Sequence, residues 1–274
     1  MTTRTTSVST PDHDDAPALT QVARMLGDSL PAACRGLAAY DAARFDAYLA
    51  AALTAPPAGR TLLLRTVRQA GEVIATADWR CPGSVLFLNG IYVRSAWRGQ
   101  GVGRMLMADG VRLAEATGAE AVELHVSDDN PTAAALYRKL GFEPLGSLVW
   151  EAIPIEPDAG PEPDSGPEPD PGPEPTVRVL DWPAFTAHHA MYGFGDLTVA
   201  HGRSTTRVRL VGRALCVGAT TGPDPVPVQT LVRLLAAERA YRITDRAVGS
   251  ASTFASFVHM RASLAELSRN LGAV

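Results

Sequence analysis

The sequence predicts an α/β fold, a mixed sheet flanked by helices, joined through a proline-rich linker to a smaller α+β region. Three observations carry this. An apolar strand, Val85 to Val93, hands over to a helix from about Val102 through the turn Arg98-Gly99-Gln100-Gly101-Val102-Gly103. A second strand, Ala121 to Val126, and a second helix, opened by Asn130-Pro131, come next. From Glu156 to Pro173 the chain repeats one hexapeptide three times, which divides it in two.

Before the glycine turn, Ala16 to Leu30 and Arg35 to Leu53 are alanine-rich with apolar residues near helical spacing. Thr61 to Arg68 and Glu72 to Trp79 carry β-branched runs around Gln69-Ala70-Gly71 and read as a hairpin. The helix after the turn stops at Gly118, and Asn130 as N-cap, Pro131 at the first helical position and Gly141 as the stop delimit the next. Strand, helix, strand, helix implies parallel neighbours whose carboxyl ends carry the ligand site. The glycine turn and Asn130 lie at those ends. Three glycines let a ligand approach the backbone, and the first-turn N–H groups of the helix, backed by its macrodipole, suit a diphosphate.

The hexapeptide repeat has no apolar face, its prolines remove backbone donors, and its carboxylates repel one another. A stiff, extended spacer is expected, at most ~55 Å long at about 3.1 Å per residue. The predicted domains are therefore 1–154, the linker 155–175, and 176–274. The last region reads as a strand from Val177 to Leu180, a helix through Ala187 and His188, strands around Val208 to Val211 and Ala214 to Val217, and two closing helices. In the final one Phe257, Met260, Leu264, Leu267 and Leu271 form an apolar stripe at helical spacing. That stripe packs a core or pairs with a second copy as a homodimer. His188, His189 and His201 have no carboxylate or cysteine at ligand spacing, so no metal is expected.

The first region resembles the GNAT superfamily of acyl-CoA-dependent N-acyltransferases. Arg98, Gly101 and Gly103 fill the family's pyrophosphate loop, and Asn130, Ala133, Leu136, Tyr137, Gly141 and Phe142 stand in the order and spacing of its later signature. The resemblance covers about residues 4 to 153 and does not extend to the C-terminal region, although a degenerate second GNAT copy is one reading of that region, beside substrate selection and dimerisation. It implies acetyl-CoA as co-substrate, held by Ile91, Tyr92 and Val93 on the strand, by Arg98, Gly99, Gln100, Gly101, Val102, Gly103 and Arg104 on the turn, and by Asn130, Ala133 and Tyr137 on the next helix. It implies a small-molecule or peptide amine as acceptor, with Asp41, Arg44, Phe45 and Tyr48 lining its site, and Tyr137 as the general acid toward the departing thiolate.

The base is less plain. An alkylammonium with a pKa near 10.4 is free amine only about one part in a thousand at neutral pH, so its proton must be taken. Where many family members place a glutamate on the fourth strand, this chain has Asn89, and an amide is no base. A relayed water, Glu123 or His125 on the neighbouring strand, or an acceptor already neutral remain open. A coenzyme-binding sensor without activity is the alternative reading, favoured by Asn89 and opposed by Tyr137.

Composition narrows the setting. The net charge of −4 gives no nucleic-acid footprint. No apolar run reaches membrane-spanning length and the polar start lacks a secretory segment, so the cytoplasm is expected. Cys34, Cys81 and Cys216 are too few and too scattered for a disulfide framework or a zinc site. Lys139 is the sole lysine, which disfavours Schiff-base chemistry.

Overall fold

In chain order the elements of the computed structural model are β1 (Val8–Ser9), α1 (Ala16–Asp28), α2 (Phe45–Leu53), β2 (Leu62–Gln69), β3 (Glu72–Arg80), β4 (Val85–Val93), α3 (Val102–Thr117), β5 (Ala121–Ser127), α4 (Pro131–Lys139) and β6 (Glu143–Ile153). Then come β7 (Val177–Val179), α5 (Trp182–Tyr192), β8 (Phe194–His201), β9 (Ser204–Val211), β10 (Ala214–Thr221), α6 (Val228–Leu234), β11 (Arg239–Thr244), β12 (Thr253–Ser263) and α7 (Leu264–Leu271). The structure describes residues 7–56, 59–156, 177–245 and 252–272, so most of the hexapeptide repeat lies outside the described residues. Contacts divide the chain into one unit of Met1–Arg35, Arg44–Val149 and Ala255–Val274, and another of Gly36–Ala43 and Trp150–Phe254.

In the first unit the strands follow the order β1-β2-β3-β4-β5-β12. β2, β3 and β4 are antiparallel neighbours, and β4 and β5 are parallel. Alternation sorts the side chains. Leu86 and Leu88 of β4, Val122, Leu124 and Val126 of β5, and Met260 and Ala262 of β12 join Leu106, Met107 and Val111 of α3 and Leu267 and Leu271 of α7 in one core. Trp79 is fully buried against α3, where a Cβ at Gly110 would come 2.4 Å from its ring, so only glycine admits the indole.

Two elements differ from expectation. The stretch Phe257 to Ser263 is strand, not helix: it pairs antiparallel with β5 from Phe257↔Ser127 to Ser263↔Ala121, and α7 starts only at Leu264, capped by the Ser263 hydroxyl. Helical spacing misled here because Met260 is a strand residue and Leu267 and Leu271 are helix residues that reach the same core. The stripe is therefore core packing within the first unit. The expected helix from Arg35 to Leu53 is reduced to Phe45–Leu53, since Gly36 takes φ +73° and Ala39–Asp41 forms a separate 3-10 turn.

In the second unit the strands follow the order β11-β10-β9-β8-β7, with β10 and β11 parallel and the other described pairs antiparallel. The sequence reading missed β8 and β11; Phe194, Leu197 and Val199 of β8 are buried. Strand, helix, three antiparallel strands, helix, parallel strand repeats the path of the first unit. Among the described residues no helix is long and apolar enough to cross a membrane.

Candidate active site

The site begins where β4 and β5 part. Their parallel pairing runs from Val85↔Ala121 to Leu88↔Leu124 and ends there, although β4 continues to Val93 and β5 to Ser127. The cause lies on the other side of β4. Against β3 the register passes from Trp79↔Leu88 to Asp78↔Gly90, so Asn89 is an extra residue that bends the strand away. Beyond Leu88 the backbone of Gly90 to Val93 faces a wedge instead of a neighbouring strand, and an extended amide-bearing chain can pair with that edge as a strand would. Ile91, Tyr92 and Val93 lie on it.

The wedge opens toward the N-terminus of α3. Gly99 and Gly101 take φ +73° and +80°, and nothing lies within 4 Å of a Cβ built at either, so the space above the turn is open to a ligand. Asp15 caps α1 and Asn130 caps α4, but α3 starts at Gly101 with no side-chain cap. Its first N–H groups are left for an anion. The Arg98 guanidinium lies on this rim, its Nε donating to the Val93 carbonyl at 2.9 Å and its plane 5.6 Å from the Tyr92 ring. Gln100 donates to the Ala96 carbonyl and Arg104 to the Asn270 carbonyl on α7, so both stiffen the turn. The Val102 side chain is buried, leaving its backbone as the only part that can meet a ligand.

Tyr137 lies in the core on the α3 face of the sheet, edge-to-face with Phe142 at 5.6 Å. Burial pushes its phenol up to about 12, so it is a protonated donor at neutral pH. Leu136 is exposed, whereas Leu140 and Tyr137 are buried. The Asn130 side chain accepts from the Ala133 N–H at 3.1 Å, which fixes the start of α4 at the mouth of the wedge.

The opposite face of the sheet carries two polar groups. On the β3 side, Asn89 Nδ2 donates to the fully buried Asp78 at 3.0 Å, Arg80 grips the same carboxylate at 2.8 Å, and Tyr48 of α2 is hydrogen-bonded to Arg80. Of the expected acceptor-lining residues, then, Tyr48 reaches the strands, Phe45 is buried beside it, and Asp41 belongs to the second unit, where it accepts from the Gly36 N–H. On the β5 side, Glu123 and His125 share the outward face with Phe87 and with two residues that sequence reasoning did not single out, His259 and Arg261 of β12. Glu123 accepts from His259 Nε2 at 2.9 Å and lies 3.3 Å from Arg261. His125 packs at 4.9 Å against both Phe87 and His259, and that burial and the neighbouring ring lower its proton affinity.

The second unit repeats the parting of strands without the anion turn. Pairing of β10 with β11 ends at Val217↔Arg242, and the β10–β9 register slips by one residue between Val217 and Thr220. The next segment, Gly222 to Pro227, contains three prolines and Asp224, whose carboxylate accepts from the Arg203 N–H. Prolines offer no N–H, and a carboxylate repels phosphate. His188, His189 and His201 each bond to a carbonyl or hydroxyl of this unit, at Phe194, Gly212 and Thr206.

The α/β fold thus carries a strand wedge that leads to a helix N-terminus without a side-chain cap, and a buried phenol on the following helix. Residues 24–142 match the Acetyltransferase (GNAT) family, and this part of the chain is a GNAT-family domain. An uncharacterized protein of Mycobacterium leprae is 48% identical over 56 residues, 20% of this chain and 15% of that protein's length. Among solved structures, a tandem GNAT protein from the clavulanic acid biosynthesis pathway, without acetyl-CoA, is similar with TM-score 0.63 and 14% identity over 95% of this chain and 99% of its own. A putative acetyltransferase from Pyrococcus horikoshii gives 0.61 and 11% over 96% and 91%, and a GCN5-related N-acetyltransferase from Sphaerobacter thermophilus 0.57 and 17% over 94% and 96%. These likenesses are of fold. They extend over nearly the whole chain, and the family match at residues 24–142 supports acyl-CoA-dependent N-acyltransfer in general.

Proposed function

We propose that the first unit transfers an acyl group, most simply acetyl, from its coenzyme A thioester to a primary amine by direct attack. The observation that carries this is the free edge of β4 beyond Leu88, which leads in sequence to the open turn at Gly99 and Gly101; the buried phenol of Tyr137 on α4 is the donor assigned to it. The turn and the first N–H groups of α3 hold the diphosphate, with Arg98 adding a charge-assisted contact. The β4 edge from Ile91 to Val93 aligns the pantetheine arm and brings the thioester toward the vertex at Leu88 and Leu124. Tyr137 donates toward the sulfur as the carbon–sulfur bond breaks. The amine enters from the opposite face, where the Asn89 amide is tied to Asp78 and a side chain on β5 or β12 must take its proton.

A binding-only reading draws on that same amide, since Asn89 supplies no base. The two separate cleanly. Titration of acetyl-CoA into the protein is expected to give saturable heat, and a panel of alkyl and aryl amines to release free thiol. Saturable binding without thiol release from any amine would favour the sensor; no binding heat would end both readings.

A further inference from the structure

We infer that His259, carried into the first unit by the last strand of the chain, is the catalytic base, with Glu123 as the residue that positions it. The inference rests on the acyltransferase reading and names the group that reading lacks. Strand β12 stands beyond β5 as seen from β4, so β4 and β12 are about 9.5 Å apart at about 4.8 Å per strand. The His259 ring is only 6.4 Å from the Phe87 ring of β4. Both side chains therefore lean over β5, and His259, opposite His125 in register, reaches the outward side of the wedge vertex.

The hydrogen bond to Glu123 settles the ring's chemistry. An ionised carboxylate only accepts, so Nε2 of the neutral imidazole carries the hydrogen and the lone pair is on Nδ1. The carboxylate stabilises the imidazolium as it forms. Arg261 lies on the other oxygen of Glu123, and the pair is largely enclosed, the two side chains being 14% and 26% exposed for Glu123 and His259. His125 has a weaker claim to the same role: it touches Phe87 and His259, and no carboxylate bonds to its ring among the described residues. On the β5 side of His259 the titratable and charged groups are Glu123 and His125, with Arg261 on its own strand.

The step balances. Nδ1 takes one proton from the acceptor ammonium; the amine nitrogen attacks the carbonyl carbon, a carbon–nitrogen bond forms and the carbon–sulfur bond breaks. The sulfur leaves with a proton from Tyr137, which is replaced by the second proton the nitrogen sheds, and His259 returns its own proton to water.

The test uses the full-length protein and the variants His259→Gln and Glu123→Gln. With an alkylamine acceptor, His259→Gln is expected to lower kcat/KM about 10²-fold or more, while calorimetric affinity for acetyl-CoA is unchanged. With an arylamine or hydrazine, neutral at pH 7, the loss should shrink to within a few fold, and added imidazole should partly restore the alkylamine reaction. Glu123→Gln is expected to lower the alkylamine kcat/KM about tenfold or more while the arylamine reaction stays within a few fold. Equal losses on both amine classes, or no loss on either, would overturn the assignment. If wild-type protein transfers to no amine, the acyltransferase reading itself fails and the assignment goes with it; an active wild type with an equally active His259→Gln removes the assignment alone.

Discussion

Replacing Tyr137 with phenylalanine separates its chemistry from its packing. The ring is buried and touches Phe142, and phenylalanine keeps both features, so the variant folds. A phenol at about 12 is a poor match for a thiol near 8.5, about 3.5 units apart, so transfer even to the fully formed thiolate is uphill by roughly 5 kcal/mol unless the phenol is reprotonated in the same step. Tyr137 must therefore act within the bond-breaking step, donating a hydrogen bond that becomes a proton transfer as charge builds on sulfur. General acid catalysis of this kind contributes about 10²- to 10⁴-fold. Single-turnover thiol release by Tyr137→Phe should fall by at least about 10²-fold with acetyl-CoA affinity intact. A fall of less than about threefold would remove Tyr137 from the reaction. The same group leaves a stability signature. Burial raises its folded-state pKa from the ordinary 10.0 to about 12, so the unfolded chain loses this proton first and wild-type stability declines as pH rises from 10 to 12. The decline attributable to Tyr137 is about 3 kcal/mol, fully absent below pH 10. Denaturant melts of Tyr137→Phe across that window should lack it.

Two further substitutions test the frame around the reaction. Gly101→Ala meets no atom within 4 Å but takes a side chain to φ +80°, so it should weaken the fold by only about 1–2 kcal/mol while raising the calorimetric Kd for acetyl-CoA tenfold or more; unchanged affinity would move the phosphates elsewhere. Gly110→Ala places its Cβ 2.4 Å from the buried Trp79 ring, and thermal melting should show about 1–3 kcal/mol of destabilisation; an unshifted melt would contradict the packing of α3 on β3.

The parts of the fold legible in the sequence were those written in local chemistry. Asn130 with Pro131 announced α4, Gly118 closed α3, and the turn at Gly101 marked the strand-to-helix junction, because caps and left-handed turns depend on a few adjacent residues. Long-range pairing leaves no such mark. Nothing local shows that Phe257 to Ser263 would become the neighbour of β5, and the stripe ending in Leu267 and Leu271 reads as one helix because strand and helix deliver their apolar residues to one core. The alternation of Phe257, His259 and Arg261 with Val258, Met260 and Ala262 was the available signal. It competed with a helical stripe of equal length. Of the proposed site, the glycine turn and Tyr137 stand out in the sequence by motif and position, whereas His259 does not, since the role proposed for it rests on Glu123 one strand away.

The two units show why parted strands alone do not make a coenzyme site. Each has one extra residue on the strand that precedes the parallel pair, at Asn89 in β4 and within Gly218–Ala219 in β10, and in each the pairing stops beside it. At Gly218 a Cβ would come 2.5 Å from the Arg207 carbonyl, so the second irregularity is held by sterics intrinsic to its own sheet. Strand geometry suffices to produce the opening, and no ligand is needed to explain it. What distinguishes the first unit is the mouth of the opening: N–H donors and an arginine at residues 98–103, against prolines and Asp224 at 222–227. The first unit in turn depends on the far end of the chain. Without β12 and α7, β5 would present an unpaired edge, Met260, Ala262, Leu267 and Leu271 would leave the core, and Glu123 would lose its hydrogen bond with His259 and its ion pair with Arg261. Residues 1–154 therefore do not complete the first unit by themselves, and the sequence beyond the linker contributes part of its sheet and its core.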